Sequence, residues 1–317
     1  MKMSESSTSI TKRRKVTLSS TLVIVLLLSS FLPILVQAED EYEDDEIFTG
    51  TISNFDGEDM GKSYLSTSSE DPVFSATRHL KNQWIDAGMP DMILPFSSDY
   101  LSKQSRSVSR ACENAWNQGD AVTMPTAGGN IAAEVERVTS SAAIIVENGV
   151  SIPSTTINDI ASTWDNSIYP TVTSYFGNPP DVDNNCQVEI VILAIDGPSN
   201  IGGYFSPGIA TSREAIFVDS DDLGWRNVIF AHEFEHLLHN ARDPLEYAWI
   251  DEGAADMAAF LVLGAEGSLI GHSNGWASNA SCSVRWWNQR ADCDYGAGFL
   301  FILYLADKFG GGQAIQS

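Results

Sequence analysis

Basic residues are scarce in this chain of 317 residues. It contains 18 Lys and Arg against 42 Asp and Glu, which gives a formal net charge of −24. An acid excess of this size repels phosphate groups, and so it argues against nucleic acid and anionic membranes as partners. Histidine is also scarce, with 5 residues, and a regular spacing of histidines is therefore informative.

Long apolar runs are missing after residue 38. Before it, the basic stretch Lys12–Lys15 precedes the apolar run Leu18–Val36, and Ala38 ends a small-residue cleavage site. This pattern predicts an export signal over residues 1–38 and a secreted protein. The alternative is a membrane anchor through residues 18–36, because the run approaches the length that spans a bilayer.

The charge becomes more negative once the signal is removed. Thirteen Lys and Arg remain (18 minus 5) with 41 Asp and Glu (42 minus 1), for a net charge of about −28. We therefore expect no membrane partner for the mature chain.

The pentapeptide His232-Glu233-Phe234-Glu235-His236 has the spacing of a zinc site. Positions i and i+4 of a helix lie on one face, so both imidazoles can reach one Zn²⁺ ion. Apolar residues on both sides predict a buried helix, which suits a desolvated metal site. Glu233 is then placed to act as general base on a water molecule.

A second predicted helix, from Ala248 to about Leu263, supplies carboxylates at the same spacing. Glu252 can complete the zinc site as third ligand, and Asp256 can accept the free ring N–H of a ligating histidine. Asp251 is turned about 100° from Glu252 on a helix and is expected to point away. His239 is interpreted as a packing residue or a residue of the helix C-terminus.

Three further stretches accompany these motifs: Ile201–Pro207, Trp249–Gly253 and Tyr295–Phe301. Together they resemble the gluzincin metallopeptidases, and within them the hyicolysin family, with a looser likeness to immune inhibitor A-type secreted peptidases. The likeness spans roughly residues 130 to 310. It implies a zincin-like fold, zinc ligation by His232, His236 and Glu252, and Glu233 as general base.

The metzincin class is excluded by two positions. Its motif needs Gly at 239 and His at 242, where this chain has His239 and Arg242.

An oxyanion donor and a substrate-binding strand are also predicted. Tyr295 is the first candidate donor and His272 the second, since a Tyr or His facing the metal stabilises a tetrahedral intermediate. The strand Ala215–Val218 is expected to be the sheet edge along which a peptide pairs.

The predicted fold class is α+β, with a zincin-like catalytic domain over residues 131–317. Strands are predicted at Glu134–Val138, Ala142–Glu147 and Val188–Leu193, and a helix at Ile157–Phe176. Residues 39–130 are acidic and Ser-rich, and are interpreted as a disordered or propeptide region. The chain stops soon after its last helix, which leaves a truncated domain as an alternative.

Four cysteines, Cys112, Cys186, Cys282 and Cys293, predict two disulfides in an exported protein, with three connectivities open. We favour Cys112 with Cys186 and Cys282 with Cys293. The rival interpretation is that Cys112 is a thiol that caps the zinc in a latent precursor.

Two acidic stretches leave calcium binding open as an alternative. Asp181–Asn185 begins like a calcium loop, but Cys186 and Ile192 stand where such a loop needs Gly and Glu, so a turn is favoured. Asp219–Asp222 is interpreted as a strand end that also caps the next helix.

The sequence therefore predicts a secreted zinc-dependent endopeptidase that acts on proteins or peptides. One alternative is a catalytically silent zincin-like binding or adhesion module, against which Glu233 argues. Another is a zinc hydrolase that acts on a non-peptide substrate. The cleavage preference and the oligomeric state are not predicted.

Overall fold

The computed structural model describes residues 74–89, 112–278, 280 and 291–309, which form a mixed α+β fold. The predicted export signal, with its anchor alternative at residues 18–36, lies outside these residues. Within the described ranges, no helix combines the length and the hydropathy needed to span a bilayer.

Eight α-helices are present in the described ranges. In chain order they are α1 (Thr77–Asp86), α2 (Ser154–Thr163), α3 (Tyr169–Phe176), α4 (Pro207–Ala210), α5 (Arg226–Asn240), α6 (Ala248–Leu263), α7 (Gly267–Ser278) and α8 (Ala291–Phe309).

The strands of the described ranges join in one seven-stranded sheet, in the order β1-β6-β7-β5-β4-β3-β2. They are β1 (Phe74–Ser75), β2 (Ala121–Thr126), β3 (Gly129–Val138), β4 (Ala142–Glu147), β5 (Val188–Leu193), β6 (Ile201–Phe205) and β7 (Ala215–Asp219).

The predicted strands are confirmed, but the predicted edge is wrong. β7 lies inside the sheet, parallel to β5 on one side and antiparallel to β6 on the other. The unrecognised strand β6 contains Gly202 and Gly203, and glycine weakens a strand pattern because it has no side chain to pack. β1 pairs with β6 in parallel and forms one of the two edges of the sheet.

Apolar residues of the central strands alternate between two cores, as the period of two requires. Ile144, Ile190 and Ile216 face the core that contains α5 and α6, whereas Ile145 and Phe217 face the opposite core. Both faces of the sheet are therefore buried, and α5 is held against one of them.

The predicted helix Ile157–Phe176 is confirmed as α2 and α3 joined by a π-helical turn at Trp164–Ile168. Its aromatic side chains support the helix of the histidine pair. The Trp164 and Tyr169 rings lie 4.9 Å and 5.6 Å from the Phe234 ring, centroid to centroid.

Part of the predicted N-terminal region belongs to this fold. β1, α1 and β2 fall within residues 39–130, and β1 and β2 are the two outer strands of the sheet. The predicted disulfide Cys112–Cys186 is confirmed, with a Cα–Cα distance of 5.5 Å. Cys112 is therefore not a free thiol. Cys293 is also disulfide-bonded, and Cys282, its predicted partner, lies outside the described residues.

Candidate metal site

Helix α5 carries both histidines of the motif at its buried face. His232 and His236 are 6% and 1% exposed. The helix approaches strand β6 closely at Gly203, where a Cβ atom would lie 2.6 Å from the Ile229 side chain. Only glycine permits this contact without a shift, so the glycine that weakens β6 also brings α5 to the sheet.

Helix α6 brings its carboxylates against α5 because α8 supports it from behind. At the α6–α8 crossing, a Cβ on Gly253 would lie 2.6 Å from the carbonyl carbon of Gly298. This backbone contact explains two glycines of the sequence motifs. It leaves Glu252 fully buried, with 0% exposure, facing the histidines.

Three ligand atoms form a nearly equilateral triangle. His232 Nε2 lies 3.1 Å from His236 Nε2, and Glu252 Oε2 lies 3.2 Å from the first nitrogen and 3.3 Å from the second. Tetrahedral zinc with bonds of about 2.0–2.1 Å separates its ligand atoms by about 3.3 Å. The spacing of these three side chains therefore fits one zinc ion.

The outer ring nitrogens are oriented by two aspartates of α6. His232 Nδ1 lies 3.0 Å from Asp256 Oδ1, and His236 Nδ1 lies 3.2 Å from Asp251 Oδ1. When each carboxylate accepts the N–H of a neutral ring, each Nε2 presents a lone pair to the other. Two facing lone pairs beside a carboxylate repel one another unless a proton or a metal cation lies between them.

The expectation that Asp251 points away is wrong. The histidines are one turn apart on α5, so their outer nitrogens meet α6 at two heights and on two flanks of Glu252. Asp251 contacts the ring of His236, and Asp256 contacts that of His232.

The charges of the site also favour a cation. Burial lowers the pKa of His232, but hydrogen bonds with Asp256 and Glu252 outweigh burial and raise that pKa to about 10. Burial raises the pKa of Asp256, yet His272 and His232 reverse the effect and lower it to about 2. Positive charge is therefore strongly favoured among these side chains.

Lys81 of α1 supplies a fixed positive charge at one flank. Its Nζ lies 2.7 Å from Asp251 Oδ2, and both side chains are 2% exposed. Glu235, His236 and Asp251 also place ligand atoms within 4.8 Å of one another. The ammonium of Lys81 already neutralises Asp251 there, so the triangle with Glu252 is the better cation site.

Glu233 lies beside the triangle and receives a hydrogen bond from the N-terminal segment. Thr77 Oγ1 donates to Glu233 Oε2 at 2.7 Å and accepts the Phe205 N–H at 2.7 Å. Together with His232 and Ser75, the Glu233 side chain lines a small cavity of about 30 Å³.

Tyr295 and His272 line the same cavity. Their rings stack with a centroid distance of 4.8 Å, and the Tyr295 ring lies 6.2 Å from that of His232. His272 Nδ1 lies 2.7 Å from Asp256 Oδ2, and His272 Nε2 is buried without a hydrogen-bond partner among the described residues. Burial, with Glu252 nearby, raises the pKa of the Tyr295 hydroxyl well above its usual value.

Two remaining side-chain predictions have different outcomes. His239 contacts Glu235 at 3.1 Å and does not join the triangle. The predicted cap at Asp219–Asp222 is wrong, because α5 begins after Trp225 and has no side-chain cap. Asp219 and Asp222 instead accept backbone N–H groups of the loop before β6, from Asp196 and Ser199.

Sequence reasoning missed Thr77, Lys81 and the contact of Asp251. The first two lie 156 and 170 residues from their partners, and no local pattern in α1 marks such contacts. For the contact of Asp251, the available signal in the sequence is a carboxylate directly next to the proposed zinc ligand Glu252.

No protein-family model matches the sequence. The chain is similar to a neutral metalloprotease, ShpI, of Staphylococcus hyicus, with 27% identity over 192 residues. The similarity covers 50% of this chain and 43% of that protein, so the chain matches less than half of that relative's length.

Proposed function

We propose that this chain is a secreted zinc-dependent endopeptidase with a zincin-like catalytic domain. The observation that carries the proposal is the triangle of His232 Nε2, His236 Nε2 and Glu252 Oε2, with the Glu233 carboxylate beside it. The likeness to a metalloprotease supports a metallopeptidase relationship.

Zinc is the metal that suits this donor set, because it accepts two imidazoles and one carboxylate in a four-coordinate site. A zinc ion held there would lower the pKa of a water molecule to about 7 and polarise a scissile carbonyl. Glu233 would accept the proton of the attacking water at a carboxylate oxygen and return it to the leaving amine.

Tyr295 is the better candidate for the oxyanion donor. Its raised pKa keeps the hydroxyl protonated, so it can donate a hydrogen bond to a developing oxyanion. The His272 ring instead lies against the carboxylate that contacts His232, with Nδ1 2.7 Å from Asp256 Oδ2. We therefore assign His272 to the orientation of Asp256.

The substrate strand would pair with β6, which becomes the edge of the sheet beside α5 once β1 is removed. In this structure β1 takes that place, and Thr77 contacts Glu233. These contacts support a propeptide within residues 39–130 that must leave before a substrate binds. A cut within residues 90–111 would release β1 and α1 and preserve the Cys112–Cys186 bond.

Terminal sequencing of the active secreted protein tests this part of the proposal. We expect an export cut before Glu39 and a second cut between residues 89 and 112. A fully active chain that still begins before Phe74 would contradict the propeptide assignment.

Hydrolysis of unlabelled casein by the exported protein tests the activity, with and without a zinc chelator. We expect cleavage that the chelator abolishes and added zinc restores. Glu233→Gln should retain zinc and lose nearly all cleavage, because an amide cannot accept the proton. Zinc binding without cleavage in the processed parent would favour a silent binding module instead.

A further inference from the structure

A second group of acidic side chains lies outside the histidine site. Asp181 and Asp183 belong to the loop between α3 and β5, and Glu214 directly precedes β7. One carboxylate oxygen from each lies within 4.8 Å of those of the other two. Three carboxylates at this distance repel one another unless a proton or a cation is shared among them.

Glu214 is buried and incompletely satisfied. The residue is 2% exposed, and its Oε1 accepts the Val182 N–H at 2.6 Å. Its Oε2 is buried and has no hydrogen-bond partner among the described residues. Burying an unpaired carboxylate oxygen costs free energy, so this oxygen requires either a proton or a bound cation.

A fourth carboxylate adjoins the group. Glu189, fully buried next to this group, also has an Oε2 without a partner among the described residues. Arg213 Nη1 bonds to Glu189 Oε1 at 2.8 Å. Burial, with Asp183 and Asp181 nearby, raises the pKa of Glu214 to about 9.

The loop holds its two aspartates in fixed orientations. The Cys186 N–H donates to Asp181 Oδ1, and the Asn185 N–H donates to Asp183 Oδ1, both at 3.1 Å. Cys186 is tied to Cys112 by the disulfide. Asp183 Oδ2 also accepts a hydrogen bond from the Asn185 side-chain amide at 2.8 Å. Carboxylates that are already oriented lower the cost of ordering on ligand binding.

We propose that Asp181, Asp183 and Glu214 bind a structural Ca²⁺ ion that links the loop before β5 to the start of β7. Every donor in the group is an oxygen, which suits calcium and does not suit zinc. The sequence alone disfavours a calcium loop because Cys186 and Ile192 stand at positions six and twelve, where such a loop needs Gly and Glu. In the structure Glu214, 22 residues further along the chain than Ile192 (214 minus 192), brings a carboxylate to the loop instead.

Calcium titration of the full exported chain tests this site. The protein is dialysed against calcium-free buffer that contains zinc, and calcium binding and thermal unfolding are then measured together. We expect one Ca²⁺ bound per chain, with a dissociation constant on the order of 10⁻⁴–10⁻³ M as in extracellular modules. The unfolding temperature should rise with calcium concentration.

Three variants make the result specific. Glu214→Gln and Asp183→Asn should each weaken calcium binding at least about tenfold, by removal of a charged ligand. Glu136→Gln removes the same charge from an exposed position of β3 and should bind calcium like the parent. Comparing two site variants guards against a folding defect in either one.

Two results would overturn the proposal. A calcium response that is equal in all four proteins would mean nonspecific attraction to an acidic surface. No calcium response in the parent, together with a Glu214→Gln variant more stable than the parent at neutral pH, would mean that the carboxylates share a proton. Neither outcome depends on peptidase activity, so this site can fail while the proposed function stands.

Discussion

Removal of the Asp251 carboxylate tests how the flank of the metal site is held. In the chain that retains residues 74–89, Asp251 joins the ring of His236 to the ammonium of Lys81. The substitution Asp251→Asn keeps an oxygen that can accept the ring N–H but removes the negative charge. Lys81 is then left as a buried cation without its counter-ion.

The expected loss of stability follows from the burial of the Lys81–Asp251 ion pair. Both side chains are 2% exposed, and breaking a buried ion pair by removal of one partner costs about 3–5 kcal/mol. At about 2–4 °C per kcal/mol for a domain of this size, the unfolding temperature should fall by roughly 6–20 °C. Asp251→Ala also loses the bond to His236 and should weaken zinc binding about 10- to 100-fold.

The assay is thermal unfolding of the unprocessed chain, with zinc affinity measured by chelator competition. A Lys81→Met variant and the Lys81→Met/Asp251→Asn double variant complete the cycle. The double variant should be less destabilised than the sum of the two single variants, because neither buried charge is left unpaired. An Asp251→Asn protein that unfolds within about 2 °C of the parent would refute the buried pair.

Three other predictions concern the site and its supports. Asp256→Ala removes the acceptor of both His232 and His272, and should weaken zinc binding about 10- to 100-fold in a chelator competition. Tyr295→Phe should retain zinc while kcat falls about 10²- to 10³-fold, as expected for loss of an oxyanion donor; an unchanged kcat would remove that role. Gly298→Ala should destabilise the chain by about 1–3 kcal/mol in thermal unfolding, because the new methyl group would overlap the backbone of α6. Gly271→Ala, which meets no atom within 4 Å, is the matched control and should not destabilise it.

Much of the fold could be predicted because its central strands are short apolar runs between turns. Val188–Leu193 and Ala142–Glu147 were recognised in this way, and the helical spacing of the motifs placed α5 and α6. The edge could not be predicted, because Gly202 and Gly203 in β6 give no strand signal. The order of the strands also depends on pairing between distant segments, which a local sequence pattern does not reveal.

In the candidate site too, residues close together in sequence could be predicted and residues from distant parts of the chain could not. His232, His236, Glu252 and Asp256 are predicted from spacing within two helices, and the structure brings them together. Side chains that arrive from distant parts of the chain were not predictable. Thr77 and Lys81 reach the site through the docking of α1, which no periodicity in the sequence records.

A helical wheel gives the wrong orientation for the Asp251 side chain, because it treats the metal site as one point that faces one side of α6. The two histidines instead occupy successive turns of α5. Adjacent positions of α6 can then serve the same metal site from different sides.

The zinc content of Glu252→Ala tests the central claim most directly. Elemental analysis of the full chain should find one zinc per molecule in the parent, and in a His239→Ala control, since His239 contacts Glu235 and lies outside the triangle. Glu252→Ala leaves two histidine ligands and should lose most of its zinc, together with all casein hydrolysis after processing. If Glu252→Ala kept a full zinc complement and its activity while His239→Ala lost both, the metal site proposed for this protein would be wrong.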